Sequence, residues 1–561
     1  MKKLFFGLLL IMNIVLLSGQ TASQQLLNII TTQDNFQKEK YKHSAGQWPI
    51  VSKSTIKKEL QHLRVQITNL KNLDTSTLTE SEQINQELIL LILEDDLYKL
   101  EYGHYLMPLN AEGGFLTGMV YRTQSLRLKS AEERITYLKK LEAVPAYLQQ
   151  QTELLKQGLQ ENKVVPKIIV ENCIGYVEDY LNTPIEALFL AKPLATFKEQ
   201  DKEGLAILKS QVIPAFQTFK TFLEKEYLPN TRTEVGVWNN KDGKAYYEQR
   251  VRYFTTLDMS PEEVFETGQK EVARIRAEME AIIKEVGFEG TYAEFLDFLR
   301  TDEQFYAKTG AELLAQAAWF SKKAEEILPR YFGKLPRLPF TVNPVPDAIA
   351  PNYTSGRYSG GSAEEQRAGQ YWVNTHNLAS RPLYVLPSLT LHEAVPGHHL
   401  QISLAQELED VPAFRTSVYI SAFGEGWALY TEYLGKEAGI YKTPYQDFGR
   451  LTYEMWRACR LVVDPGMHYM GWSREQALDF MSKNTALSIH EVTTEIDRYI
   501  GWPGQAVSYK IGELKIRALR KEMEKKLGDK FDIRAFHDLV LANGSIPLSS
   551  LERVIKTNLL K

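Results

Sequence analysis

The residues with the clearest chemical use lie in segment 391–401, which reads Leu-His-Glu-Ala-Val-Pro-Gly-His-His-Leu-Gln. Three histidines and one glutamate fall within eight positions of this segment. Imidazole nitrogens and carboxylate oxygens are ordinary ligands of Zn²⁺, and a carboxylate beside the metal can act as a general base. The segment begins like the His-Glu-x-x-His helix, in which histidines at i and i+4 share one face and the glutamate is the base. Glu393 is therefore the predicted base.

The second histidine ligand cannot follow that simple pattern, because the i+4 position from His392 is Pro396. In a straight helix His398 would point about 120° away from His392, and His399 would lie about 10.5 Å along the axis. Proline interrupts helical hydrogen bonding, and the glycine at position 397 tolerates unusual dihedral angles. We therefore expect a bulge or kink that brings His398 onto the face of His392, with His399 as the alternative second ligand.

The third predicted ligand is Glu425, which follows His398 by 27 positions at the start of an amphipathic helical pattern. Two imidazoles and one carboxylate leave one coordination position open, as in catalytic zinc sites. A His/His/Glu set could also take manganese, cobalt or iron. Glu432 lies seven positions further along the same face and is expected to support a ligand by hydrogen bonding.

Further residues are candidates for contacts with a reacting substrate. The oxyanion formed during amide hydrolysis needs a hydrogen-bond donor, and a substrate carboxylate needs a cation. The candidate donors are His468, Tyr499 and Tyr509, and the candidate cations are Arg498 and Lys510.

The elements that must position these residues are mainly helices. Amphipathic patterns with N-terminal capping residues predict helices over residues 79–100 and 130–141, and from Ser260 to about Val286. Residues 335–387 are rich in proline and glycine and contain β-prone pieces at 340–342, 370–374 and 383–386. A small sheet is therefore expected immediately before the histidine cluster, and strip 370–375 is expected to pair with an extended peptide.

The N-terminus has the pattern of a secretory signal. A basic start, Met1-Lys2-Lys3, precedes an apolar run over 4–17 and small or polar residues over 18–23. That run is shorter than the roughly 20 residues needed to span a bilayer. We expect a signal peptide over residues 1–22, a mature chain without a membrane segment, and a periplasmic or extracellular location.

The composition narrows the possible function classes. The 561 residues include 66 basic and 70 acidic side chains, a balance that gives no electrostatic reason to expect nucleic acid binding. Two cysteines, Cys173 and Cys459, cannot form a disulfide framework. The sequence contains neither a Gly-x-Ser-x-Gly elbow nor a Walker-A loop, so serine hydrolases and nucleotide-binding enzymes have no motif support.

The sequence resembles the bacterial domain-of-unknown-function family numbered 885, usually grouped with gluzincin-type metallopeptidases. The segments that carry the resemblance are 380–382, 389–399, 424–430, 464–468 and 498–506, with Tyr509 and Lys510. The resemblance implies a large, mainly helical body, neurolysin-like or carboxypeptidase-Taq-like, around a deep cleft. It also implies zinc at His392, at one histidine of the 398/399 pair and at Glu425, with Glu393 as the base.

These observations lead to one expected organisation and one expected function. We predict a signal peptide over 1–22, a helical N-terminal part over 23–334 and a zinc-site part over 335–561, the last two fused in one body. The expected activity is that of a secreted zinc-dependent metallopeptidase acting on short peptides. The alternatives are a zinc amidase acting on cell-wall or other non-ribosomal amides and a catalytically silent peptide-binding protein.

Overall fold

A computed structural model describes residues 20–42, 46–123, 126–197, 201–347, 350 and 353–560. The predicted signal peptide lies almost entirely outside the described residues. The chain divides into two compact units, one comprising Met1–Glu234 with Asn239–Asp242 and the other Val235–Trp238 with Gly243–Lys561. The units do not coincide with the predicted division at residues 334 and 335, because helix Pro261–Glu285 packs along helix Pro444–His468.

The first unit consists of helices within its described residues. Their bounds are α1 Ala22–Lys42, α2 Lys53–Lys71, α3 Glu80–Tyr102, α4 Phe115–Thr123, α5 Ala131–Glu142, α6 Val144–Glu161, α7 Lys167–Asn182, α8 Lys192–Phe197, α9 Lys202–Ile207 and α10 Ile213–Phe222. The helices predicted over 79–100 and 130–141 are confirmed as α3 and α5. The side chains of Thr79 and Ser130 cap them by accepting hydrogen bonds from the main-chain N–H groups of Glu82 and Glu133.

The second unit holds the remaining helices and the sheet. The helix bounds are α11 Gly243–Thr255, α12 Pro261–Glu285, α13 Tyr292–Thr301, α14 Gly310–Tyr331, α15 Leu386–Glu393, α16 His398–Gln406, α17 Ser421–Glu437, α18 Pro444–His468, α19 Arg474–Asn484, α20 Ile489–Gly501, α21 Ser508–Leu527, α22 Ile533–Leu541 and α23 Leu548–Leu559. The helix predicted from Ser260 is confirmed as α12, with Ser260 as its N-cap and Pro261 in its first turn. No helix within the described part of the chain is both long and apolar enough to span a membrane.

A three-stranded sheet precedes the histidine segment, as predicted. Its strands are β1 Phe340–Pro344, β2 Gly356–Ser359 and β3 Gly369–Val373, in the order β1-β3-β2. β1 pairs with β3 in parallel, and β2 pairs with β3 in antiparallel orientation. Because β3 is central, both of its edges are paired, so strip 370–375 cannot receive an added peptide strand along β3.

The strand predicted at residues 383–386 is wrong. This segment forms a single 3₁₀ turn, Leu383–Val385, that leads into α15. A short buried apolar run is compatible with a strand or a helix by pattern alone. Pro387 lies in the first turn of α15, a position where proline favours a helix start because its missing N–H has no helical partner there.

Close packing between α17 and α21 holds the helix that carries Glu425. A Cβ atom added at Gly426 would lie 2.5 Å from the main chain of Gly512. Any side chain at position 426 would therefore force the two helices apart. α17 also packs against α15. The helices that bear His392 and Glu425 are also joined by a hydrogen bond from the Thr431 hydroxyl to the carbonyl of Leu391, at 3.0 Å.

Candidate metal centre

The helical path is interrupted between the two histidines, at the Pro-Gly position identified in the sequence. α15 ends at Glu393 and α16 begins at His398, so two separate helices replace the expected bulge in one helix. A Cβ atom at Gly397 would lie 2.0 Å from the carbonyl oxygen of His392, which only glycine allows. The break places the rings of His392 and His398 with centroids 4.8 Å apart and planes at 89°.

Three ligand-type atoms converge at this break. The Nε2 atoms of His392 and His398 lie 3.5 and 3.4 Å from the same carboxylate oxygen, Oε2, of Glu425. All three ligand atoms lie within 4.8 Å of one another. Atoms bound to tetrahedral zinc at about 2.0–2.2 Å are roughly 3.4 Å apart, so this donor set fits one zinc ion in type and spacing.

His399 points to a different environment. Its Nδ1 atom lies 3.0 Å from the hydroxyl of Tyr358 and 3.3 Å from that of Ser403, and its ring contacts Phe340. Burial lowers the pKa of His399 to about 4, so its ring is neutral. Of the two alternatives, His398 is therefore the one that the structure brings to His392 and Glu425.

Glu432 orients the ring of His392. Its Oε1 atom lies 2.7 Å from His392 Nδ1, and its Oε2 atom accepts a hydrogen bond from Ser388 at 3.2 Å. Because the carboxylate accepts from Nδ1, Nε2 is the nitrogen that faces Glu425, and it offers a lone pair to a metal once the ring is neutral. Burial lowers the pKa of His392, but Glu425 and Glu432 outweigh it and raise that pKa to about 9.

Tyr419 orients Glu425 from the other side, a contact that we did not predict from the sequence. Its hydroxyl donates a hydrogen bond to Glu425 Oε1 at 2.8 Å, which leaves Oε2 facing the histidines. Gly424 makes room for this contact, since a Cβ atom there would lie 2.4 Å from the Tyr419 ring. The Gly-Glu-Gly sequence was the available signal, because small residues on both sides of a ligand indicate close neighbours.

The sheet positions the predicted base. The main-chain N–H of Tyr358, on β2, donates a hydrogen bond to Glu393 Oε2 at 2.7 Å. Glu393 is the last residue of α15 and is 8% exposed. One carboxylate oxygen is thus fixed by the edge of β2. Main-chain donors such as this one have no residue-type signature, so sequence reasoning missed it.

Comparison with known protein families identifies the family of this chain. Residues 35–555 match the family described as "Bacterial protein of unknown function (DUF885)". The chain belongs to this family. The match includes all three ligand-type residues of the cluster, and the resemblance inferred from the motifs is confirmed.

Two solved structures are similar to this DUF885 chain. One is a protein of Colwellia psychrerythraea described as a "putative lipoprotein", with 27% identity, a TM-score of 0.87 and coverage of 96% of this chain and 99% of that one. The other, from Shewanella oneidensis, is described as a "putative lipoprotein of unknown function", with 19% identity, a TM-score of 0.77 and coverage of 96% and 100%. The second shows the shared fold alone. No curated protein matches the chain.

Two predicted oxyanion donors of the DUF885 chain are engaged elsewhere. His468 is fully buried, accepts a hydrogen bond at Nδ1 from the N–H of Val237 at 3.1 Å, and lies with Nε2 2.9 Å from the carbonyl of Tyr499. The hydroxyl of Tyr499 accepts from Arg460 at 2.7 Å and donates to Glu495 at 2.7 Å. These groups hold α18 and α20 together, so the structure gives them a packing role in place of the predicted one.

The two predicted carboxylate-binding cations also have internal partners. Lys510 is fully buried, and its ammonium lies 2.7 Å from Glu454 and 2.8 Å from Glu513. Arg498 pairs with Glu495 at 2.9 Å. Sequence reasoning could not see these carboxylates, since Glu454 is 56 positions from Lys510. The prediction that Lys510 and Arg498 bind substrate does not fit these contacts.

Tyr509 is the predicted donor that remains near the cluster. Its half-buried ring lies 4.2 Å from the guanidinium of Arg460. Its phenol is also close enough to Tyr419 to contribute to the raised pKa of that residue, after burial and the charge of Glu425. Tyr509 therefore stands within electrostatic range of the group that contacts Glu425.

Proposed function

We propose that this protein is a secreted zinc-dependent peptidase that hydrolyses short peptides. The observation that carries the proposal is the convergence of His392 Nε2, His398 Nε2 and Glu425 Oε2, within electrostatic range of the carboxylate of Glu393. Those three residues would hold the ion. Zinc, when bound there, supplies polarisation of the scissile carbonyl and lowers the pKa of a bound water toward about 7.

Glu393 carries the proton transfers in this proposal. It takes a proton from the attacking water and delivers it to the leaving amine. The N–H of Tyr358 fixes Oε2, so the other oxygen of Glu393 is the one that handles the proton. An anchored carboxylate loses little freedom when it reacts, which is the advantage of a preorganised site.

Tyr419 and Tyr509 supply the hydroxyl groups beside the reacting carbonyl. Tyr419 is 41% exposed although its hydroxyl contacts a buried cluster, so this side chain faces both solvent and Glu425. The hydroxyl of Tyr419 carries one proton, and in this proposal it turns from Glu425 Oε1 to the oxyanion that forms during hydrolysis. His392 and His398 are only 3% and 8% exposed. Such limited access favours slender, extended substrates over folded proteins.

The test is digestion of a mixed peptide library by the purified protein, read by mass spectrometry. The zinc-loaded wild type should cleave short peptides. Glu393→Gln keeps the shape of the side chain but not its basicity, so its rate of cleavage should be lower by a factor of more than about 100. Cleavage should stop on chelation and return with added zinc. Wild-type turnover of muropeptides without turnover of peptides, or full activity of Glu393→Gln, would overturn the proposal.

A further inference from the structure

Arg357 is a cation within electrostatic range of the predicted base, and it forms no ion pair with a carboxylate of the described residues. It lies on β2 directly before Tyr358, opposite Trp372 on β3, and its side chain is exposed. Its guanidinium is hydrogen-bonded to the side chain of Tyr353. Among the described residues, no carboxylate lies within ion-pairing distance of Arg357, whereas Arg498 is held by Glu495 at 2.9 Å.

The position of Arg357 relative to Glu393 is fixed by the main chain. The N–H of the next residue, Tyr358, is 2.7 Å from Glu393 Oε2, so the strand that carries Arg357 touches the base. Desolvation lowers the pKa of Arg357, but Tyr353, Glu393 and Tyr509 raise it above its ordinary value. A permanent positive charge therefore stands within electrostatic range of the group that must protonate the leaving amine.

The position of the Arg357 guanidinium relative to Glu393 indicates which substrate group it can bind. In a peptide whose last bond is cleaved, the leaving nitrogen and the terminal carboxylate carbon are separated by one Cα, roughly 2.5 Å. Because Glu393 must reach the leaving nitrogen, the terminal carboxylate lies within one residue length of the base. A guanidinium is suited to a carboxylate, since it can donate two parallel hydrogen bonds to it.

We propose that Arg357 binds the free C-terminal carboxylate of the substrate, so that the protein removes single residues from the C-terminus of short peptides. This inference rests on the proposed peptidase function and names its substrate class. Tyr353 steers the guanidinium through their hydrogen bond. The Tyr353 ring packs edge-on to Trp372 at 6.2 Å, which fixes it in turn.

The experiment compares N-acetyl-Ala-Ala-Phe bearing a free carboxylate with its C-terminal amide. Zinc-loaded wild type should hydrolyse the acid about 100-fold better in kcat/KM, the range expected for hydrogen bonds between charged groups. Arg357→Ala should lose that preference by slowing the acid alone, and added guanidinium should restore part of it. Arg330→Ala, at an exposed arginine on α14, should behave as wild type.

A binding measurement separates this inference from the peptidase proposal. In zinc-loaded Glu393→Gln, calorimetry should show that Arg357→Ala weakens binding of the acid but not of the amide. If wild type hydrolyses neither peptide, the peptidase proposal fails while the calorimetry still tests Arg357. Equal handling of acid and amide by wild type, or an equal loss on both with Arg357→Ala, would overturn the role of Arg357.

Discussion

Glu432 and the Nδ1 atom of His392 are 2.7 Å apart although the residues are 40 positions apart in the chain, and both side chains are almost fully buried. A carboxylate in this position fixes the ring orientation of a histidine and raises its basicity as a ligand. The packing of α15 on α17 therefore orients the ring of His392 so that Nε2 faces His398 and Glu425.

The first prediction concerns that hydrogen bond. Glu432→Ala should weaken zinc binding by about 10- to 100-fold, because the ring of His392 loses its orienting acceptor. Glu432→Gln, which keeps an acceptor without the charge, should lose less. Competition with a chromogenic chelator measures the affinity, and Glu437→Ala on the same helix is the control, since Glu437 pairs with Arg520. Unchanged affinity in Glu432→Ala would show that the contact has no bearing on a metal.

The second prediction separates the two adjacent histidines. His398→Ala should abolish stoichiometric zinc binding, because it removes one of three ligands. His399→Ala should keep zinc and instead destabilise the fold by about 1–3 kcal/mol, since it removes a buried ring together with its hydrogen bond to the hydroxyl of Tyr358. Elemental analysis after dialysis, together with urea unfolding, measures both effects. Loss of zinc in His399→Ala alone would reverse the assignment.

The third prediction concerns Tyr419. Tyr419→Phe should weaken zinc binding several-fold, because Glu425 Oε1 loses its hydrogen bond, and should also lower kcat. Tyr469→Phe is a matched control, since it removes a tyrosine-to-glutamate hydrogen bond, to Glu248, outside the cluster. Identical zinc affinity and kcat in Tyr419→Phe and wild type would exclude both roles of the hydroxyl.

These contacts show which parts of the site can be read from the sequence. The ligand spacing, Pro396-Gly397 and the capping residues Thr79 and Ser260 are local signals, because each acts within a few positions. The roles of Lys510 and His468 could not be read in that way. Their partners come from distant segments of the chain. A buried lysine and a substrate-binding lysine are the same residue type, so the sequence does not distinguish them.

The sheet also shows that structure formed by contacts between distant segments is not predicted from local sequence patterns. β-prone pieces at 340–342 and 370–374 predicted β1 and β3, whereas β2, Gly356–Ser359, has no apolar pattern of its own and was missed. It is a strand because its main chain pairs with β3. That unpredicted strand carries the N–H that fixes Glu393 and the guanidinium of Arg357.

The fourth prediction concerns pH and His537. Burial lowers the pKa of His537 to about 3, whereas a histidine in an unfolded chain titrates near 6.5. Between these values the unfolded chain binds a proton that the folded chain does not, so the free energy of unfolding falls as the pH decreases from about 6.5. From pH 6.5 to 4.5 this residue should account for about 2 kcal/mol of that loss.

The check is urea unfolding at several pH values. His537→Phe, which keeps an aromatic ring beside Phe332, should show a pH dependence smaller by that amount. His490→Gln should retain the wild-type dependence, since His490 is exposed. Parallel pH profiles for wild type and His537→Phe would mean that His537 does not stay neutral in the folded chain.

The most direct test of the metal-centre assignment is a zinc titration of metal-stripped protein, with bound zinc and peptide hydrolysis followed in the same samples. We expect one zinc per chain, hydrolysis that rises in proportion to bound zinc, and the same zinc binding without hydrolysis in Glu393→Gln. A wild type that binds no zinc, or that hydrolyses peptides equally well without it, would contradict the assignment of His392, His398 and Glu425.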